Sequence, residues 1–157
     1  MLVLAGDIDV ETARAKVTRY FGDIPAGPSM TQPAVNIAQR SESTREVLED
    51  RVPQVRILRA WNIVDFNHDD ATELQLLAQV LGGSRSSRLD RRLVHGEKLA
   101  DSVAAFAMSN QLGGQFILMV DVKEGVDPVK VEAILAEEVS KLLSDGPTAE
   151  ELAQAKT

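Results

Sequence analysis

Two histidines, three serines set among arginines, and several adjacent carboxylates are the residues of this 157-residue chain whose types could do chemistry. A protein zinc site brings three or four ligands together, and the helical versions place two histidines at i and i+4. His68 has Thr72 at i+4 and His95 has Leu99, so neither begins such a pair. The cluster His68, Asp69, Asp70 and Glu73 could hold a cation weakly at a helix start. Carboxylates there more often cap the helix and meet its dipole, which is the reading adopted here. With no cysteine in the sequence, thiolate zinc sites, disulfides and a cysteine nucleophile are excluded.

Ser84, Ser86 and Ser87 sit near arginines rather than in a GxSxG elbow, and no strand leads into them; helix capping is the simpler role. Gly82-Gly83-Ser84 could hold a phosphate on backbone N–H groups with Arg85 and Arg88, but a helix rather than a strand precedes it. Arg85, Arg88, Arg91 and Arg92 form one basic island. Its plain reading is a solvated helix face; its sharper one is a surface for an acidic neighbour or a peptide carboxylate, with Arg85, Arg88 and Arg92 as the substrate or interface candidates. Glu137-Glu138 and Glu150-Glu151 are expected to face solvent or cap helices. Neighbouring positions point to different sides of a helix and make a poor acid–base dyad.

These residues belong to an acidic chain. Seventeen Lys and Arg against 24 Asp and Glu leave a net charge of −7 and a pI near 4.8, which argues against nucleic acid or an anionic membrane as partner. No run approaches the ~18 apolar residues of a membrane span. At 44% hydrophobic residues the chain can bury one sizeable core, and its length predicts one domain, 1–157. It starts in an apolar strand-like stretch and stops at Ala155-Lys156-Thr157 in a helical pattern, so it reads as part of a longer multidomain chain.

The elements that must position the candidates follow from periodicity. Leu2–Ala5 reads as a strand, followed by a helix capped by Asp9 that presents Val10, Ala13, Val17, Tyr20 and Phe21 to a core and ends at Gly22. A proline- and glycine-rich connector runs to about Thr44. Strands are expected at about 46–50 and 54–63, the second containing Trp61, then a helix over 69–81 closed by Gly82-Gly83. A short amphipathic helix starts at Ser86 or Ser87 and ends at Gly96. Strands over 99–109 and 114–123 form a long antiparallel pair. Asp127-Pro128 opens a helix with Val131, Ile134, Leu135, Val139 and Leu142 on one stripe, and Thr148 with Glu151 makes a capping box for the last helix. Paired strands with helices inserted between them predict an α+β fold: an antiparallel or mixed sheet with helices packed on one face.

In their order these segments resemble a family. Leu2–Asp9 with Tyr20-Phe21-Gly22-Asp23-Ile24-Pro25, then Leu81-Gly82-Gly83 with Ser86-Ser87-Arg88-Leu89, Leu99-Ala100 before Ser102-Val103, and Gly146-Pro147-Thr148 with Glu150-Glu151-Leu152, are similar to the C-terminal-type domain of pitrilysin-type zinc peptidases, the group of insulinase and mitochondrial processing peptidase. The resemblance implies a half-shell that helps enclose a peptide chamber, with zinc bound by a different domain of the parent on an inverted HxxEH helix. No cofactor is then expected in this chain. The implied partners are homologous domains of the same parent, or a partner subunit, and a peptide substrate; an exported or periplasmic bacterial parent is also implied.

Some domains of this type carry an arginine in the short helix and a tyrosine at the following strand that assist substrate. In register, those positions hold Val94 and Asp101 here. Valine donates no hydrogen bond, and aspartate brings negative charge where an oxyanion wants a donor. The expectation is a non-catalytic, substrate-enclosing domain of a zinc metalloendopeptidase, inactive alone, with a scaffold subunit of the same fold as the alternative.

Overall fold

The computed structural model describes residues 2–31 and 33–156, and these two stretches form two separate units. In the first, helix α1, Val10–Phe21, starts where Asp9 Oδ1 accepts from the Thr12 N–H at 2.8 Å. None of its residues is buried, and Tyr20 and Phe21 are 67% and 50% exposed, so the expected buried stripe has no core of its own within this unit. Leu2–Ala5 is exposed and unladdered rather than a strand. β-propensity fits a residue to a pleated surface, but a strand exists only once another strand takes up its backbone groups.

The second unit is built on a three-stranded antiparallel sheet: β1, Arg56–Ile63; β2, Ala100–Asn110; and β3, Gly113–Val122, in the order β1-β3-β2. The sheet is antiparallel throughout, the first of the two expected arrangements. The expected strand at 46–50 has no ladder partner among the described residues. β2 and β3 form a hairpin that pairs Asn110 with Gly113 across Gln111-Leu112. Alternation along β3 decides what goes inside: Phe116, Leu118, Val120 and Val122 are buried, and the residues between them are not.

Helices supply the other side of the core. Leu81 of α2, Asp70–Gly82, and Val131, Ile134, Leu135 and Leu142 of α3, Pro128–Asp145, join Leu89, Leu93 and those strand residues in one cluster. Asp127 caps α3 by accepting from the Val129 N–H at 2.9 Å, ahead of Pro128 in the first turn. The final helix α4, Ala149–Ala155, carries the capping box read from the sequence: Thr148 Oγ1 accepts from Glu151 N at 3.2 Å, and Glu151 Oε2 accepts from Thr148 N at 2.8 Å. Trp61 meets Phe116 edge-on, ring centres 6.0 Å apart.

Gly82, the last residue of α2, does more than stop the helix. A Cβ there would lie 3.0 Å from both the Cβ and the backbone N of Ala105 in β2, so the missing side chain lets α2 rest directly on the strand. Gly82→Val forces the two apart. It is expected to lower unfolding stability by about 1–3 kcal/mol, the usual cost of overpacking, read as a lower urea midpoint with the slope unchanged.

Candidate functional site

The basic island lies on a segment that winds more widely than an α-helix. Arg88 and Leu89 begin helically, and Asp90–Gly96 is a π-helix in which the Glu97 N–H donates to Arg92 O, five residues back. This corrects the amphipathic α-helix read from the sequence. Gly96 permits the winding, because a Cβ there would meet Arg91 O at 2.9 Å. The period still buries Leu89 and Leu93 completely, and on the same spacing it brings Arg88 and Arg92 to neighbouring helices.

Arg88 is a fork. Its Nε donates to Glu151 Oε1 at 2.6 Å, and its second nitrogen donates to Glu151 Oε2 at 2.8 Å and to the Gly146 carbonyl at 3.0 Å. Both side chains are only 13% exposed, so the bidentate pair works in reduced dielectric. The Arg88 guanidinium, with help from the Thr148 backbone, holds the Glu151 carboxyl at about 2 against a usual 4.5. Arg92 reaches three carboxylates: Glu137 at 2.7 Å, Glu97 at 3.2 Å, and Glu138. Its hydrogen bond and that of Lys141 lower Glu137 to about 2.

Glu138 was expected at the surface with Glu137. Instead it is buried, 8% exposed, on the apolar stripe of α3, four residues from both Ile134 and Leu142. The helical period places it there, and Arg92 with Lys141 supplies its counter-charge. Among the arginines read as candidates, Arg88 and Arg92 are thus engaged internally, while Arg85 is exposed and makes no ion pair among the described residues. Arg91 lies 3.7 Å from Glu151 and is largely exposed.

The other chemical candidates resolve into structural roles. The Ser87 carbonyl accepts from Arg91 N, but its side chain caps nothing. Ser87 Oγ is buried without a partner among the described residues, beside a cavity of about 40 Å³ that Gln79, Glu151 and Gln154 also line. Ser84 and Ser86 hydroxyls meet each other at 3.0 Å. The Gly83 N–H donates to Gln79 O, which removes it from any phosphate cradle. His68, not Asp69, receives the backbone at the start of α2: its Nδ1 accepts from Asp70 N at 3.2 Å. His95 Nε2 lies 3.1 Å from Asp90 Oδ1. These two histidines do not fit a zinc ion, and among the described residues no three His, Asp or Glu side chains converge as ligands. Val94 is half-buried against the core, and Asp101 is exposed beside the β2 irregularity between Ala100 and Ser102.

A family model described as the peptidase M16 inactive domain matches residues 1–157. Among solved structures, a protease from Helicobacter pylori is similar at 23% identity with a TM-score of 0.69, over 96% of this chain and 37% of that one. A peptidase M16 inactive domain from Pseudomonas fluorescens is similar at 22% identity and a TM-score of 0.66, over 96% and 36%. The inactive peptidase domain of a protein assigned to the zinc proteases, from Bordetella parapertussis, is similar at 26% identity and a TM-score of 0.55, over 69% and 60%. The chain therefore spans little more than a third of the first two relatives. No curated protein matches the sequence.

Breaking the fork tests its weight. Arg88→Met leaves a partly buried carboxylate with only the exposed Arg91, 3.7 Å away, as counter-charge, and is expected to cost about 1–3 kcal/mol in urea unfolding. Acid provides a second reading. Because Glu151 and Glu137 are lowered to about 2 in the folded chain, their contribution is full above the ordinary value of 4.5 and is lost as pH falls from there towards 2. Glu151→Gln should start less stable and lose less across that window than the parent, followed by thermal melts at stepped pH.

Proposed function

Because the chain belongs to the peptidase M16 inactive-domain family, we propose that it is the non-catalytic domain of a zinc-dependent metalloendopeptidase, giving wall and interdomain surface to a chamber that closes on a peptide. Zinc and its ligands are assigned to another domain of the parent, and hydrolysis takes no group from this chain. The observation that carries the reading is the use made of the segment where substrate-assisting groups would be sought. Its cations Arg88 and Arg92 are spent on Glu151, Glu137 and Glu138, and the two positions that the family resemblance gives to substrate-assisting groups hold Val94, half-buried, and Asp101, exposed. A group already committed to an internal bidentate pair cannot also stabilise a developing charge without giving up that pair.

The share of the relatives that the chain covers supports a domain that works beside others. Arg85 is assigned to the interdomain surface as the cation left available to an acidic neighbour, while Arg88 and Arg92 position the segment that carries it.

The purified 157-residue chain, supplied with zinc and a quenched fluorogenic peptide, is expected to show no turnover above a zinc-only blank. Adding the zinc-bearing domain of its parent should produce turnover that depends on this chain. Zinc-dependent hydrolysis by the chain alone would overturn the proposal, and a zinc-bearing domain fully active without it would favour a scaffold role instead.

A further inference from the structure

The sheet of the second unit buries one face and leaves the other open, and the open face is laid out in rows. Reading across β1-β3-β2, one row is Asn62, Gln115 and Met108, the next Ala60, Ile117 and Phe106, the next Leu58, Met119 and Ala104, and the last Arg56, Asp121 and Ser102. The two middle rows are entirely apolar, with Leu58 59% exposed, Ala60 exposed and Ala104, Phe106, Ile117 and Met119 partly exposed, and they lie between an amide row and a charged row. The charged row cancels itself: Arg56 Nε donates to Asp121 Oδ1 at 2.7 Å, and Ser102 Oγ donates to Asp121 Oδ2 at 2.7 Å. At the opposite end the amide row opens into a hollow of about 320 Å³ with no charged side chain in its lining.

The chain itself shows how polypeptide is received there. Residues 36–38 of the connector border that hollow, and Asn62 Nδ2 donates to the Ala38 carbonyl at 2.8 Å. A side-chain amide taking a main-chain carbonyl reads backbone rather than sequence, and Gln115 and Asn110 bring further amides to the same hollow.

From this we infer that the open face is a subsite for an extended, uncharged peptide segment: its main chain is held by the amide row and its apolar side chains lie on the two middle rows. Size selects this occupant. With strands ~4.8 Å apart and rows ~6.8 Å apart, the twelve residues give a face on the order of 400 Å², about half of the roughly 800 Å² per partner that a stable complex of folded proteins buries. Charge selects its composition, since every ionic group on the face is already paired and a charged residue would be desolvated without compensation. The inference rests on the proposed peptide-enclosing role and specifies which part of a substrate this domain would touch.

The test uses the 157-residue chain, ¹⁵N- and methionine-methyl-labelled, titrated with the acetylated and amidated hexapeptide Ser-Val-Thr-Leu-Ser-Ala. A control peptide carries Asp in place of Val and Leu. Shifts are expected at the Asn62 and Gln115 side-chain amides and at the Met108 and Met119 methyls. The Asp peptide should bind at least about tenfold more weakly, and Leu58→Glu, at an exposed position that leaves the core intact, should weaken the parent peptide by a similar factor. Shifts confined to the outer backbone amides of β1 would overturn the inference in favour of strand addition. Concentration-dependent shifts without peptide would overturn it in favour of a second copy. Absence of any shift, while the chain still supports turnover by its zinc-bearing partner, would overturn the subsite and leave the enclosing role standing.

Discussion

One carboxylate ties together parts of the second unit that the chain order keeps apart. Glu151 accepts two hydrogen bonds from Arg88 and a third from the backbone of Thr148, so the same group caps α4 and fastens it to the segment before β2. Arg88 also reaches the end of α3, where the second N–H of the same nitrogen that bonds Glu151 Oε2 donates to the Gly146 carbonyl. Three elements meet through four N–H donors and three oxygens. Planarity matters: a guanidinium fork meets a carboxylate edge to edge with parallel N–H groups on two nitrogens, a geometry that the single nitrogen of a lysine cannot reproduce.

Beneath that fastening lies a steric condition. α2 can lie on β2 only because Gly82 presents no side chain to Ala105, and once it does, Leu89 and Leu93 are carried into the core on the following segment. The arginines at 88 and 92 are then delivered to the acidic helices on the same spacing. Burial and charge pairing are therefore two outcomes of one placement, and the wider π winding ends where Gly96 has room for the Arg91 carbonyl.

What could be read from the sequence was mostly what acts over a few residues. Asp9, Asp127 and Thr148 with Glu151 bond N–H groups two or three positions away, so their roles follow from local order alone. The β2–β3 hairpin was legible for the same reason. Arg88 and Glu151 stand 63 residues apart, and no local pattern links them; the basic island looked available because its partners lay elsewhere in the chain. Glu138 was within reach, since the stripe of α3 passes through it, but its charge outweighed its position. Leu2–Ala5 and residues 46–50 have strand-like composition and no ladder, because pairing is a property of two segments and composition of one.

The Ser-Arg-Leu segment that first aligned this chain with its family consists of a buried serine, the arginine of the fork and a leucine at the centre of the core. All three answer to folding. A mutation that removed a family member's catalytic groups would place no strain on them, so the segment can persist through the loss of an activity. As a signature it dates descent and architecture, and a genome survey that used it to count peptidases would be counting folds.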